Sequence, residues 1–290
     1  MMGLDSLPAS ALAALLGLLI GSFLNVVIYR LPKMMERQWS AEAAAFQAEQ
    51  TGGEPPPSPE PFNLMVPRSR CPSCGHWVAW YENVPVLSYL FLRGKCSECG
   101  ARISPRYPLV ELLTGGLFFW CAQQWGLTPT GLAWCGFSAV LVALAFIYWD
   151  TTLLPDDLTL PLLWAGLLAS ALQWIQAPLV SSVAGAAAGY LSLWLVYWAF
   201  KLATGKEGMG YGDFKLFAAL GAWFGWEALV PIILMSSVIG AIVGIGLKVF
   251  SRLREGGYVP FGPFLVGAGL TAMLAGPKAI LDTVLRGFGL

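Results

Sequence analysis

Charge is what this chain has least of. Only 12% of its 290 residues are Asp, Glu, Lys or Arg, against 57% hydrophobic, and the two signs cancel to a net charge of zero. So little charge, beside several apolar runs approaching the ~20 residues a spanning helix needs, excludes a soluble globular chain. The zero net charge says little about partners, because it hides an uneven distribution of basic residues along the chain; no nucleic-acid partner is expected. No glycine-rich nucleotide loop of familiar type occurs, and the apolar runs show no inverted repeat of the kind transporters use. A cleaved signal peptide is not expected either, because only Asp5 is charged before the first apolar run and the basic residues follow it.

What is present is a multi-pass pattern. The expected fold is all-α and polytopic, with about eight transmembrane helices near 10–30, 109–125, 131–149, 158–176, 179–203, 213–225, 227–250 and 261–276. Three regions follow: a first span (1–30), a polar insert (31–108) and a membrane core (109–290). Basic residues set the orientation, since they stay on the cytoplasmic side. They crowd the insert, from Lys33 to Arg106, and recur at Lys201, Lys206, Lys215, Lys248, Arg252 and Arg254, whereas the opposite face has Lys278 and Arg286. The insert and the span ends near Asp150 and Asp213 are therefore expected on the cytoplasmic side. The same basic surface could hold anionic lipid headgroups.

Within the insert, Met35, Trp39 and Phe46 recur at helical spacing, as for an amphipathic helix lying on the bilayer or packed on the insert itself. The Pro- and Gly-rich stretch 51–61 reads as a linker. Two knuckles come next, CPSC (Cys71, Cys74) and CSEC (Cys96, Cys99), each followed by Gly. Paired C-x-x-C turns separated by about twenty residues bring four thiolates to one tetrahedral metal, so a structural, zinc-ribbon-like site is expected. A redox pair is the alternative, disfavoured in a cytosolic loop. A closed shell of four sulfurs needs no fifth ligand, which leaves the sole histidine, His76, to surface or supporting packing. Cys121 and Cys135 lie in apolar runs and read as buried thiols.

Four G-x-x-x-G pairs (Gly17/Gly21, Gly185/Gly189, Gly221/Gly225, Gly240/Gly244) mark close helix contacts. Asn25 is expected to bond a neighbouring helix. The acids Glu111, Asp150, Asp156, Asp157 and Asp213 stand at cytoplasmic span ends, where carboxylates tend to line functional cavities. Two such groups at close range share a proton, and one can then activate a water against a peptide bond. Helix-end capping fits Asp156, Asp157 and Asp213 equally well. Ion or proton transport through Asp150 and Asp213 is the rival from another class.

Taken in order, GSFLNVVIYRLP (21–32), the double C-x-x-C, NVPVLSYLFLRGKC (83–96), ISPRYPLVELLTG (103–115), LLPDDLTLP (153–161) and GMGYGDFKL (208–216) resemble the bacterial type IV prepilin peptidases. The resemblance runs along almost the whole chain. It implies an inner-membrane G-x-G-D aspartic peptidase that removes the basic leader from prepilins and type II secretion pseudopilins. It further implies N-methylation of the new N-terminus with S-adenosylmethionine. Asp213 falls on the G-x-G-D aspartate. The family's other aspartate usually stands seven residues before the proline of L-P-D, where this chain has Tyr148. Asp150, two residues on, matches a second acidic position common in such proteins. A phenol, with a pKa near ~10, cannot act as the ionised half of a carboxylate pair. The expected pair is therefore Asp213 with Asp150, at reduced or abolished peptidase activity. Two residues of helix separate positions by about 200°, so Asp150 needs local distortion to take over.

Overall fold

The structure, a computed structural model, describes residues 7–52, 61–206, 208–249 and 261–287. Residues 53–60 of the expected linker, the basic pair Arg252 and Arg254, and Asp5 lie outside the described residues. The chain divides into two compact units, 1–123 and 124–290.

In the first unit, α1 (Leu7–Thr51) is one continuous helix. Its apolar part carries on through Pro32 into the polar stretch, so the expected amphipathic helix is its C-terminal extension, with Trp39 and Phe46 both exposed. A short α2 (Leu87–Phe91) belongs to the knuckle region, and α3 (Arg106–Trp125) follows. α1 and α3 meet backbone to backbone. A Cβ on Gly17 would stand 2.8 Å from Gly115 Cα, and one on Gly21 2.7 Å from Glu111 Cα. Asn25 locks this pair, its side-chain amide donating to Gly21 O at 3.2 Å and to Tyr107 O at 3.1 Å.

The second unit contains α4 (Pro129–Thr151), α5 (Asp156–Ala171), α6 (Leu179–Thr204), α7 (Tyr211–Phe224), α8 (Leu229–Val249), α9 (Gly262–Ala275) and α10 (Pro277–Gly287). Sequence explains the central place of α7. Its residues from Asp213 to Trp223 are apolar on nearly every side, and all but Lys215 are buried. A helix apolar all round has to be enclosed by others. α6 approaches it most closely: a Cβ on Gly185 would run into Gly221 O, and one on Gly189 would lie 2.8 Å from Phe217 O. Trp223 seats in the hollow left by Gly166 and donates its indole N–H to Leu162 O at 2.8 Å.

All eight apolar runs are helical, and no strand occurs among the described residues. Among the described residues, four helices are long and apolar enough to cross a membrane: Leu7–Thr51, Pro129–Thr151, Leu179–Thr204 and Trp226–Val249. The pair Gly262–Ala275 and Pro277–Gly287, bent by 112°, makes a fifth if taken as one span. The 16 residues of α5 and 14 of α7 reach only about 24 and 21 Å, short of a ~30 Å hydrocarbon core.

The close α6–α7 seam yields a stability test. Gly185→Ala forces two backbones apart, and overpacking of this kind costs about 1–3 kcal/mol. Gly136→Ala, at an exposed position with nothing within 4 Å, is expected to be neutral or slightly stabilising. Thermal melts in detergent, followed by tryptophan fluorescence, should lower the midpoint for the first substitution only.

Candidate active site and metal centre

The candidate metal centre is built by two matching turns. In each, the glycine after the second cysteine takes a left-handed conformation, Gly75 at φ 78° and Gly100 at φ 69°. Gly75 N–H donates to Cys71 O at 2.9 Å and Gly100 N–H to Cys96 O at 3.0 Å, while Cys71 and Cys96 N–H close onto His76 O and Ala101 O. Single bridges, Arg70 to Trp77 and Lys95 to Arg102, replace the strands of a full ribbon. All four sulfurs lie within 4.8 Å of one another, with Cys71–Cys99 at 3.8 Å and Cys74–Cys96 at 4.0 Å. Zinc–sulfur bonds of about 2.3 Å place tetrahedral ligands roughly 3.8 Å apart, so the donor set fits that ion. N–H groups of Cys74 and Ser73 pull the Cys71 thiol down to about 6, whereas desolvation and the crowding of Cys99, Cys71 and Cys96 push the Cys74 thiol up to about 12, so the four sulfurs do not all ionise without a cation between them. His76 stays outside the sulfur cluster, with Nε2 3.2 Å from Glu82 Oε2. Cys121 and Cys135 are buried free thiols.

The acids separate into different settings. Glu111 belongs to the first unit, buried, with Oε2 accepting Val86 N–H at 2.7 Å. In the second unit, Asp156 is exposed and held by Lys215, whose Nζ lies 2.7 Å from both carboxylate oxygens. Asp157, beside it in the first turn of α5, is exposed too. Asp213 is different: at the third position of α7 it is only 1% exposed. Its Oδ1 meets no hydrogen-bond partner among the described residues. Gly212 allows this placement by lying against Leu154, where a Cβ would come within 2.7 Å, while Gly210 has open space around it.

The side chain that meets Asp213 is Tyr148. Its hydroxyl donates to Asp213 Oδ2 at 3.4 Å, and its ring packs over Gly262, whose Cβ would stand 3.0 Å from Tyr148 Cδ2. α4 is regular here, with Thr152 N–H donating to Tyr148 O at 2.8 Å, and Asp150 is exposed. The register that aligns Tyr148 with Asp213 is therefore built into the helix. Neither the Asp156–Lys215 link nor the burial of α7 from Asp213 to Trp223 on all sides but that of Lys215 could be read from spacing.

Comparison with known proteins identifies the family. Residues 15–125 match the bacterial Peptidase A24 N-terminal domain, and residues 135–245 match the type IV leader peptidase family. The chain is similar to proteins named prepilin leader peptidase/N-methyltransferase. With that of Aeromonas salmonicida it shares 54% identity over 271 residues, covering 92% of this chain and 90% of the other. With that of Pseudomonas aeruginosa it shares 52% over 264 residues, covering 91% and 89%. With that of Burkholderia pseudomallei the figures are 49% over 268 residues, 92% and 85%. No solved structure gives a significant match.

Proposed function

Because the chain belongs to the type IV leader peptidase family, we propose that it cleaves the basic leader from type IV prepilins and type II secretion pseudopilins and N-methylates the new N-terminal residue. The observation that supports this most is a buried Asp213 in the G-x-G-D turn of a chain half-identical to named prepilin leader peptidases. The protein resides in the bacterial inner membrane, with all eight apolar helices contributing to the crossing and with the zinc module and Asp213 on the cytoplasmic side. The bilayer and the prepilin are its partners; nucleic acid is not.

Hydrolysis needs two carboxylates sharing a proton, one to deprotonate the attacking water and one to protonate the departing amine. Asp213 is one of them. Asp150 is the second acid this chain possesses at the end of α4, and it meets Asp213 only when the last helical turn opens. Cleavage is accordingly slow. Asp157, free of the Lys215 contact that occupies Asp156, is the better placed acid to receive a basic leader.

S-adenosylmethionine, when bound, supplies an electrophilic methyl group; the chain holds the amine and excludes water. Zinc in Cys71, Cys74, Cys96 and Cys99 is structural. Replacing Cys99 with Ser is expected to abolish bound zinc, measured by elemental analysis of the purified chain. It should also expose residues 61–105 to protease, since small metal modules lose their fold with the ion. Retained zinc, or unchanged proteolysis, would contradict the assignment.

A second reading is favoured by Tyr148 alone: hydrolysis is silent and methylation survives. Incubation of the purified chain with a prepilin, following leader loss and methyl addition separately by mass spectrometry, tests both. Slow cleavage with methylation is expected. Methylation only of material cleaved beforehand supports the second reading, and neither reaction overturns the assignment.

A further inference from the structure

The short helix α2 carries its apolar side outward. Leu87, Leu90 and Phe91 stand three and four residues apart, which puts them on one face, and that face is exposed at 54%, 65% and 84%. Ser88 and Tyr89 turn inward instead, the first donating to Val84 O at 2.8 Å and the second closing over Gly94, where a Cβ would stand 2.9 Å from the phenol oxygen. An outward apolar face of this kind marks an interaction surface.

α3 fixes the level at which this face lies. Val86, which caps α2, is a β-branched residue at φ 60°, and its N–H donates to Glu111 Oε2 at 2.7 Å. Helical side chains tilt toward the N-terminus, so that bond lies about level with Leu109. There the exposed apolar stripe of α3 begins, continuing through Leu112, Leu113 and Phe119. A second tier stands closer to the start of the helix. Ser104 and Pro105, which lead into α3, line an open depression of about 560 Å³ together with Arg93, Lys95 and Arg102, and no acid lines it. None of these three cations is paired with a carboxylate among the described residues. Lys95 and Arg102 face each other across a bridge. Like charges directly opposite are destabilising, and an anion between them removes that cost. From Arg106 to Glu111 the helix rises about 7.5 Å, within the ~5–10 Å by which interfacial helices sink their apolar face below the headgroups.

Resting on the membrane residence proposed above, we propose that α2 is an interfacial anchor of the knuckle module. Leu87, Leu90 and Phe91 enter the acyl boundary of the leaflet at which α3 starts, while Arg93, Lys95 and Arg102 take the phosphates of anionic phospholipids. The cations favour lipid over an apolar protein helix, which would leave them unmatched. The module that carries the four clustered cysteines is thereby held against the bilayer.

The test uses the full-length chain in nanodiscs, with phospholipids that carry a diazirine near the top of the acyl chain. Irradiation is expected to mark residues 87–91 as well as 109–119, mapped by peptide mass. Label on 109–119 but not on 87–91 means that protein covers α2, which overturns the inference and leaves membrane residence intact; label on neither removes both. In native mass spectrometry the parent is expected to retain phosphatidylglycerol over phosphatidylcholine by about tenfold, and the combined variant Arg93→Gln, Lys95→Gln and Arg102→Gln to lose most of that preference. A preference unchanged in the variant, or absent from the parent, overturns the headgroup assignment. The labelling arm uses the parent chain and stands even where the substitutions disturb the module.

Discussion

Replacing Tyr148 with Asp is expected to raise leader cleavage by about 30- to 160-fold. In the parent, Asp150 reaches Asp213 only after the last turn of α4 unwinds, which breaks two or three backbone hydrogen bonds at about 1 kcal/mol each. A penalty of roughly 2–3 kcal/mol corresponds to that range of rate. Tyr148 already directs its hydroxyl at Asp213 Oδ2 from a regular helix, so an acid at this position needs no unwinding. The gain comes with a loss of stability. The Tyr148 ring is 3% exposed and fills space over Gly262; an acid leaves a void and places a second carboxyl group in a buried site. Large-to-small replacement of buried aromatics costs about 3–5 kcal/mol when the site cannot collapse. A lower melting midpoint with faster cleavage is therefore the expected combination, measured by fluorescence melts and by initial rates on a prepilin. Equal rates in the two chains would mean that the phenol is no obstacle.

Asp213→Asn in the Tyr148→Asp chain is expected to lower cleavage by about 10²- to 10⁴-fold, the usual contribution of a positioned acid or base. The amide keeps the shape of the side chain and can still accept from a neighbouring donor, so the fold should survive. What is lost is the ability to take or give a proton. Methylation of a peptide whose leader has already been removed should proceed at the parent rate, because no step of methyl transfer uses this acid. If both reactions fall together, Asp213 supports the structure and is not confined to hydrolysis.

Much of this was legible in the chain itself. The helical runs followed from apolar length, the paired knuckles from cysteine spacing, and the close helix contacts from glycines four residues apart. Gly17, Gly21, Gly185 and Gly221 all sit where a side chain would collide with a facing helix. Asn25 bonds across to α3 as a polar group inside a span should. Less could be read about crossing, because α5 and α7 are short for a bilayer and their enclosure depends on neighbours. The contact of Asn25 with Tyr107 O could not be located from the sequence, because the two residues stand far apart along the chain. The Tyr148 misfit was readable by position, but only geometry showed that the ring occupies the approach to Asp213 and that Asp150 is exposed.

The pairing of two acids is tested most directly by the initial rate of leader removal in Asp150→Ala beside the parent, read by mass spectrometry over a time long enough to register slow turnover. The slow cleavage of the parent should disappear in Asp150→Ala. Cleavage that continues at the parent rate would contradict the account, since hydrolysis would then proceed without the second carboxylate assigned to it.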